Sequence, residues 1–375
     1  MARILITNFH PIGGGGHVPY IEALTRIQLY SDHIIGIATP RTSRLYQYLN
    51  DINYPRLFAC DFPAKIQKEP FSILKNLRQF IKIVSDFKPD IIHTNGVDLF
   101  IVNFTSFFTL NYKIIRTHHA IKKIPIDPYH KWLYNKRISS NIYVSNTARE
   151  ISTQDGLKTA NTCIIENGVD LSKYYPQSKD TNLAKQLGID QDTFCFGSIA
   201  GTAPYKRVDT IIEAAKKLKE TTNKKFKILV LGDELSGQLL QNIAIENGVN
   251  EFVFCGFHKD TQKYISLFDV GFVLSDSIET ISFAAREMMS MAKPLISSSF
   301  SGLKENIVHG HNGLLIEPNN ISQLLDAMEF FMDLDLDSLS KFSSRSRQYA
   351  EDNFDIRNQV KSHINLYETL LKNTP

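Results

Sequence analysis

Two glutamates, Glu279 and Glu287, lie eight positions apart, near the end of a predicted strand and in the helix after it. Residues 270–274 form an apolar run typical of a strand, and a helical pattern begins near Ser282. The backbone N–H groups of Ser282 and Phe283 would then open a helix N-terminus between the two acids, which favours a bound phosphate. A carboxylate on each side of a phosphate suits a nucleotide sugar, one for sugar hydroxyls and one for ribose hydroxyls.

Two cations, Lys206 and Arg207, precede another predicted helix at 208–220. A strand predicted at 194–199 ends shortly before them, and the connecting loop contains glycine and proline. Fixed cations at the start of a helix neutralise a diphosphate and stabilise the charge that builds on a departing nucleoside diphosphate. The pattern therefore predicts an anion-binding loop.

Four consecutive glycines at 13–16 follow the first predicted strand, between His10 and His17. Because glycine has no Cβ, such a loop lets the backbone approach a ligand closely. The spacing is neither that of a Walker loop nor a clean Gly-x-Gly-x-x-Gly, which disfavours a dinucleotide oxidoreductase. His118 and His119 follow a strand predicted at 113–117, so both are expected at the carboxyl end of a sheet.

The elements that must position these residues alternate between short β-branched runs and amphipathic helical patterns, such as 208–220 and 321–332. This alternation predicts an α/β fold of two Rossmann-like domains, split near residues 167–176 and facing each other across a cleft. Strands are predicted at 3–7, 33–38, 91–94, 113–117, 141–144 and 162–166, and then at 194–199, 227–232, 252–255, 270–274, 294–297 and 313–316.

Composition is that of an ordinary globular protein, with 375 residues of which 43% are hydrophobic. The start of the chain predicts a strand and not a signal peptide, and the four scattered cysteines indicate free thiols in a reducing compartment. We therefore expect a cytoplasmic protein. Its longest apolar run, 99–110, is too short to span a membrane and is predicted to form a buried helix.

Charge is uneven along the chain. Residues 1–170 hold 20 basic and 13 acidic side chains, whereas residues 171–375 hold 22 and 26. The excess of 7 positive charges in the first half suits an anionic membrane or a lipid-phosphate acceptor, although an ordinary solvated surface explains it equally well. Two basic stretches, 65–88 and 122–137, carry aromatic or apolar residues and indicate docking on an anionic membrane, with a core-facing helix as the alternative.

These segments together resemble the retaining glycosyltransferases of family four, which have the GT-B fold. The run from Glu279 to Glu287 is similar to the family's Glu-seven-residues-Glu signature. The loop before residue 208 is similar to the family's loop in which a Gly-Arg pair is followed by Lys-Gly. Here Ser198 stands in place of that arginine, and Arg207 stands in place of the second glycine.

The resemblance implies a role for each site residue in holding a nucleoside-diphosphate sugar. Lys206 and Arg207 would hold the diphosphate, Glu279 the donor sugar and Glu287 the ribose, with no metal or other cofactor required. His119 matches a family histidine near the sugar and acceptor, with His118 as the alternative. Further donor-binding residues are Gly15, Gly16, Ser198, Phe257, Ile281, Ser282 and Phe283.

The same resemblance implies an organisation into an acceptor-side domain at 1–170 and a donor-binding domain at 171–354, with a last helix at about 355–375 that crosses back to the first. The reaction would move a sugar to a hydroxyl acceptor with retention of configuration, by front-face displacement. A glycan or lipid-linked acceptor in bacterial surface glycan assembly is expected, at the inner face of the cell membrane and without nucleic acid. The base, the sugar and the linkage stay open.

Two other functions fit the same pattern. A GT-B sugar-nucleotide epimerase would convert the donor without an acceptor, but gives no reason for the Glu279 and Glu287 pair. A non-catalytic nucleotide-sugar-binding subunit would bind the nucleotide without turnover, and serine at position 198 favours it because one expected cation is missing.

Overall fold

The computed structural model describes residues 1–11, 15–62, 70–109, 111–120, 124–125, 127–153 and 162–372, with the backbone alone for 70–72. The chain divides into two compact units, one formed by Met1–Gly168 with Ile356–Pro375 and the other by Val169–Asp355. Within the described residues, no helix combines the length and apolarity that crossing a membrane requires.

Each unit is built on a sheet whose strand pairs are all parallel. The strands are β1 Arg3–Thr7, β2 Ile34–Thr39, β3 Leu57–Ala59, β4 Ile91–Thr94, β5 Lys113–His118, β6 Ile138–Tyr143, β7 Thr162–Ile164, β8 Phe194–Ser198, β9 Phe226–Val230, β10 Phe252–Phe254, β11 Val270–Val273, β12 Leu295–Ser298 and β13 Gly313–Ile316.

Helices connect nearly all successive strands, as parallel pairing requires, and a 3-10 helix at Ser301–Asn306 joins β12 to β13. They are α1 His17–Thr25, α2 Arg44–Asp51, α3 Pro70–Phe87, α4 Leu99–Thr105, α5 Pro128–Trp132, α6 Asn146–Thr153, α7 Thr181–Gln186, α8 Val208–Thr221, α9 Glu234–Glu246, α10 Gln262–Leu267, α11 Phe283–Ser290, α12 Ile321–Asp333, α13 Leu336–Asn353 and α14 Ile356–Lys372.

The first unit contains a seven-stranded sheet in the order β3-β2-β1-β4-β5-β6-β7. The order reverses next to β1, so the strand ends of β1, β4 and β5 meet where α/β proteins bind ligands. Helix α14 packs on this unit, where it contacts α1. The sheet holds Gly15 and Gly16, which follow β1, and His118 and His119, at the end of β5, along one edge.

The second unit contains a six-stranded sheet in the order β10-β9-β8-β11-β12-β13. Its central strands β8 and β11 are neighbours, so the loops that follow them lie side by side. These two loops carry Lys206 and Glu279, which are 73 positions apart in sequence. The packing of buried aliphatic and aromatic side chains on both faces of the sheet fixes this arrangement.

The predicted α/β alternation is confirmed, and three strands, β1, β4 and β13, have the predicted bounds. The sequence pattern did not indicate β3, a three-residue strand that, among the described residues, pairs with β2 alone at the edge of its sheet. The prediction of a buried helix at 99–110 was wrong for one face. Leu99 and Val102 are buried, but four phenylalanines between positions 100 and 108 are exposed, because α4 has a core on one side only.

The basic stretch at 65–88 forms most of α3, whose apolar face is not available for docking. Leu77, Phe80 and Val84 are buried in the core of the first unit, while Lys75 and Arg78 are exposed. This is the core-facing alternative, and it contradicts the docking interpretation of α3. In the second stretch Tyr129 and Trp132 are exposed, whereas Lys122 and Lys123 lie outside the described residues.

Candidate functional site

Lys206 and Glu279 form an ion pair in the second unit. The Lys206 Nζ donates a hydrogen bond to Oε2 of Glu279, and the two side chains are only 10% and 13% exposed. Nζ also lies 5.1 Å from the centroid of the Tyr205 ring, a cation–π contact that helps to hold it. The structure therefore brings together the residues predicted to hold the diphosphate and the sugar.

Arg207 lies beside this pair but its charge is directed elsewhere. The guanidinium makes two hydrogen bonds to Asp209, Nε to Oδ1 at 3.1 Å and Nη2 to Oδ2 at 2.7 Å, and a third to Asp276 at 2.9 Å. Asp209 foremost, with Asp276, raises the pKa of Arg207, and Arg207 in turn lowers the pKa of Asp276. Two carboxylates thus balance the one guanidinium that the sequence offered as a second phosphate ligand.

The backbone of Arg207 has φ 50 and ψ 40, in the left-handed region that favours glycine. It forms the turn that ends a short 3-10 helix and starts α8. Ion pairing with Asp209 and Asp276 holds this turn closed, which compensates for the strain of a non-glycine residue there. Asp209 and Asp276 were not singled out from the sequence, although acidic residues two positions after Arg207 and three before Glu279 were a readable signal.

Ser198 ends β8 and is buried, with 3% of its surface exposed. Its Oγ accepts a hydrogen bond from the backbone N–H of Ala200 at 3.3 Å. This side chain shapes the start of the β8–α8 loop and carries no charge. The cation that this loop directs toward Glu279 is therefore Lys206.

The loop that carries Glu279 is held in a strained conformation. Ile278 has φ 62 and Ser282 has φ 54, both in the region that favours glycine. The buried Asn306 donates from Nδ2 to the Ile281 carbonyl at 2.7 Å, and Arg286 donates from Nε to the Asn306 side chain at 3.1 Å. Asn306, which no sequence pattern indicated, therefore fastens the loop to α11.

Helix α11 begins after this loop without a side-chain cap. Ser282 is the N-cap residue and makes no capping hydrogen bond with its side chain. The N–H groups of the first turn, including that of Phe283, are thereby directed toward the loop, an arrangement that favours an anion. The side chain of Ile281 is buried, so it contributes packing and not a polar group.

Glu287 lies on α11 one turn further along, next to Tyr174. Burial raises the pKa of Glu287 to about 7, although a hydrogen bond from Tyr174 and the charge of Lys173 act in the opposite direction. The Tyr174 hydroxyl is also 3.4 Å from Oγ1 of Thr261. A carboxyl group that titrates near neutrality can accept or donate a hydrogen bond, as ribose hydroxyls require.

Phe257 follows β10 in a turn that Gly256 makes possible with φ 79. Its ring is 57% exposed. A cavity of about 650 Å³ opens beside Tyr205 and Arg207. Ser236 and Asp276 contribute polar groups to it.

In the first unit, the glycine loop leads into α1. Gly15 has φ 46, and Gly16 is the N-cap of α1 without a side-chain cap. Gly13 and Gly14 lie outside the described residues. His17, the first residue of α1, places its ring centroid 4.0 Å from that of His119 and 4.4 Å from that of His10.

His119 follows β5 at the edge next to this loop. Its Nε2 lies 2.9 Å from Oδ1 of Asn95, whose amide nitrogen donates to the carbonyl of Thr7 at 2.8 Å. Because Oδ1 only accepts, the His119 proton is on Nε2 and Nδ1 is an acceptor. Burial lowers the pKa of His119 well below its usual value, so the ring is neutral at physiological pH.

His118 points to the other side of the same strand. It is buried, stacks on Tyr143 with ring centroids 4.4 Å apart, and bonds through Nε2 to Oδ1 of Asn141 at 3.1 Å. Burial lowers the pKa of His118 to about 3. This is a histidine of the protein interior, and the geometry favours His119 as the site residue.

Within the described residues, no group of three or more His, Cys, Asp and Glu side chains is arranged to hold a metal ion. The expectation of a reaction without metal stays a prediction.

Solved structures share this architecture over nearly their full length. A glycosyltransferase from Rickettsia africae matches 100% of this chain and 99% of its own with a TM-score of 0.86 at 20% identity. Anabaena HepE, solved in complex with UDP and glucose, matches 98% of this chain and 100% of its own with a TM-score of 0.82 at 20% identity. The GT-B fold expected from the sequence is confirmed.

Two family models match complementary parts of the chain. The model of glycosyltransferase family 4 matches residues 14–173, and that of glycosyl transferases group 1 matches residues 179–350. The chain is a GT-B glycosyltransferase of the family-four type. A relative of this glycosyltransferase, the UDP-Gal:alpha-D-GlcNAc-diphosphoundecaprenol alpha-1,3-galactosyltransferase of Escherichia coli, is 26% identical over 322 residues, which are 80% of this chain and 82% of the relative.

Another relative is the N-acetyl-alpha-D-glucosaminyl L-malate synthase of Bacillus anthracis, which is 25% identical over 213 residues. That match covers 56% of this glycosyltransferase and 54% of the synthase. The names of these two relatives describe different reactions. The family is therefore clear from the comparisons, while the acceptor of this glycosyltransferase belongs to the proposals below.

Proposed function

We propose that the protein transfers a hexose or related sugar, with retention of configuration, from a UDP-sugar to a hydroxyl acceptor. The observation that carries the proposal is the Lys206–Glu279 ion pair next to an uncapped helix N-terminus. It supplies a cation and backbone N–H groups for phosphate, beside a carboxylate for sugar hydroxyls. UDP is favoured as the carrier because the Escherichia coli relative is named for UDP-Gal and HepE was solved with UDP and glucose.

The residues of the second unit, 171–354 in the sequence-based division, would hold the donor. Lys206 and the α11 N-terminus bind the diphosphate, with Ser198 shaping the loop, and Glu279 binds the sugar. Glu287 binds the ribose, and the Phe257 turn contacts the base. Arg207 contributes mainly by keeping the β8–α8 loop in place, since Asp209 and Asp276 already balance its charge.

The residues of the first unit would serve the acceptor side. His119, whose ring is neutral, would help to position a sugar or acceptor hydroxyl. Gly15 and Gly16 are the exception, because the family resemblance counts them among the donor-binding residues; without side chains they leave their backbone N–H groups open to a phosphate. His119 orients hydroxyls in this scheme and does not act as the base, because its lowered pKa makes it a weak proton acceptor.

The reaction itself is proposed as a front-face displacement. The acceptor oxygen bonds to the anomeric carbon while the bond from that carbon to the UDP oxygen breaks, and the acceptor proton passes to the departing phosphate. Lys206 stabilises the negative charge on the leaving UDP, an electrostatic contribution typically worth about 2–4 kcal/mol of barrier. Glu279 is not the proposed nucleophile, because its carboxylate is already paired with Lys206.

A lipid-linked acceptor is the second part of the proposal. The Escherichia coli relative is named for a diphosphoundecaprenol acceptor. The excess of basic residues in the first half of the chain favours an anionic partner, such as a lipid diphosphate or the surface of a membrane. We propose peripheral binding at the inner face of the membrane, in the assembly of a bacterial surface glycan.

Ser198 supports one alternative function, a non-catalytic subunit. Ser198 removes a cation that the family resemblance led us to expect, which favours a subunit that binds nucleotide sugars without turnover. The two functions differ in one measurement, the release of UDP from a UDP-sugar in the presence of acceptor. The binding subunit releases none.

The first experiment is a thermal-shift panel with UDP-, GDP- and ADP-sugars, on the wild type, Glu287→Ala and a surface control, Glu213→Ala. A ligand that binds only the folded state raises the melting temperature. We expect stabilisation by UDP-sugars in the wild type and in the control, and a weaker shift in Glu287→Ala. No shift with any nucleotide at saturating concentration would contradict the donor site.

A further inference from the structure

Four phenylalanine rings are exposed on and just after α4. Phe100, Phe104, Phe107 and Phe108 have 36%, 42%, 65% and 63% of their surface accessible. We refer to these four residues as the phenylalanine surface. Neighbouring rings touch, with centroid distances of 6.3 Å for Phe100 to Phe104, 6.3 Å for Phe104 to Phe107 and 5.5 Å for Phe104 to Phe108.

The fold does not need these rings for its own core. The opposite face of α4 supplies Leu99, Ile101 and Val102, which are buried in the core of the first unit. Single exposed apolar residues are ordinary, but a contiguous cluster of large aromatic rings on a surface marks a site of interaction.

Further aromatic residues flank the phenylalanine surface. Burial raises the pKa of the Tyr129 hydroxyl of α5, and the Asn103 side chain of α4 lies close enough to lower that pKa by a smaller amount, which places α5 beside this region. Tyr129 is 45% exposed and Trp132 is 41% exposed, and their ring centroids are 6.2 Å apart. Tyrosine and tryptophan are the residues that prefer the boundary between lipid and water.

Basic residues accompany the aromatic ones. Lys88 and Phe108 line the same surface cavity of about 380 Å³. Lys131 lies between Tyr129 and Trp132 in α5, and Lys136 follows one turn later, both with exposed side chains. Cations next to exposed rings match a surface that is negative outside and apolar beneath, which is the character of an anionic lipid bilayer.

We propose that the phenylalanine surface inserts into the interfacial layer of an anionic membrane, with Tyr129, Trp132 and the adjacent lysines in contact with the headgroups. This inference rests on the proposed lipid-linked acceptor and names the surface that docks. Helix α4 has seven residues, about 10 Å, so it penetrates the interface and does not span the bilayer.

Helix α4 runs from one edge of the sheet of the first unit to the other. The helix starts after Asp98, three positions beyond Asn95, whose side chain binds His119. A buried hydrogen bond from the Asn95 backbone to Asp98 at 3.0 Å holds this connection rigid. Phe107 and Phe108 follow the other end of α4, where Phe108 lies beside Lys88 and Pro89 just ahead of β4. The rings therefore dock the first unit from the sheet edge opposite to the one that carries Asn95 and His119.

The test is co-sedimentation with vesicles made from equal parts of phosphatidylcholine and phosphatidylglycerol, compared with pure phosphatidylcholine. Phe107→Ser/Phe108→Ser is the variant, and Leu235→Ser/Leu336→Ser, which removes two exposed apolar residues of the second unit, is the matched control. We expect the wild type and the control to bind the mixed vesicles, and the variant to bind about tenfold more weakly.

A charge variant, Lys131→Glu/Lys136→Glu, should bind the mixed vesicles more weakly at low salt. The binding that it retains should depend little on the salt concentration. Equal vesicle binding by the phenylalanine variant and the wild type overturns the inference, and so does a wild type that binds neither vesicle. A concentration-dependent dimer that the phenylalanine variant abolishes, without vesicle binding, would instead assign the surface to a second copy of the chain.

The UDP-sugar thermal shift separates this inference from the proposed function. The phenylalanine variant should keep the full shift, which also shows that it is folded. If UDP-sugars do not raise the melting temperature of the wild type, the proposed donor site is wrong, but the vesicle result still tests the docking surface. If the wild type binds nucleotide normally but binds no vesicles, only the docking inference is wrong.

Discussion

Tyr20 of α1 donates a hydrogen bond to His363 of α14, with the hydroxyl 2.8 Å from Nε2. The direction of this bond is fixed, because Nδ1 of His363 lies 2.8 Å from the Gln359 carbonyl, which only accepts. Tyr20 must then accept from the Thr117 hydroxyl at 2.7 Å, and Thr117 from Nε2 of His93 at 2.6 Å.

The chain of bonds ends at Tyr367, whose hydroxyl lies 2.7 Å from Nδ1 of His93. One arrangement of protons therefore satisfies both histidines, both tyrosines and Thr117. Burial lowers the pKa of His93 and of His363, so both rings are neutral, as this arrangement requires. The network ties α14 to α1, β4 and β5, and the Tyr20 ring also packs against His119 at 4.6 Å.

Tyr20→Phe is predicted to destabilise the protein by about 1–3 kcal/mol, because it leaves buried polar groups of His363 and Thr117 without their partner. The measurement is the free energy of unfolding in urea at neutral pH. Tyr30→Phe is the control, since Tyr30 is 52% exposed and loses the same hydroxyl group. Equal stability of the two variants would contradict the network.

The stability of the protein is predicted to fall as the pH drops from 6.5 toward 4. Burial lowers the pKa of His363 from 6.5 to about 4 in the folded state. In this window the unfolded chain binds the extra proton, so acid favours unfolding and the stabilisation is regained as pH rises. The dependence of unfolding free energy on pH should be shallower in His363→Gln, and identical slopes would refute the assignment.

The titration of Glu287 is predicted to change the stability with pH in the opposite direction to that of His363. Burial raises its pKa from 4.5 to about 7, so the folded state holds the proton more tightly than the unfolded chain. Its contribution to stability is present below pH 4.5 and is lost as pH rises to 7. Glu287→Gln should therefore be more stable than the wild type above pH 7, by about 3 kcal/mol, and should match it in acid. Urea unfolding at both pH values provides the measurement.

The sequence predicted those parts of the fold that depend on local pattern. The apolar runs of β1, β4 and β13 are long enough to define a strand, and their bounds were correct. Leu57–Ala59 carries too short a run, and it is a strand only because β2 offers a free edge. The phenylalanines at 100–108 were expected inside because apolar residues usually are, and only the packing of α4 leaves one face of this helix uncovered.

The same distinction between local sequence pattern and tertiary packing applies to the site residues. Glu279, Glu287 and Lys206 were recognisable from residue type and spacing, whereas the contact of Lys206 with Glu279 depends on β8 and β11 being neighbours in the sheet. The pairing of Arg207 with Asp276 depends on the same neighbour relation, and no local pattern indicated it. Tyr174 and Asn306 act on the site through tertiary contacts alone.

Lys206→Met is predicted to lower kcat by about 100- to 1,000-fold, because it removes the cation that stabilises the departing UDP. Arg207→Gly should lower kcat less than about tenfold, because Asp209 and Asp276 already balance this guanidinium and glycine accepts the same backbone conformation. UDP release from a UDP-sugar, measured with saturating donor and acceptor, gives both values. An Arg207→Gly defect as large as that of Lys206→Met would assign Arg207 to the diphosphate, as the sequence first indicated.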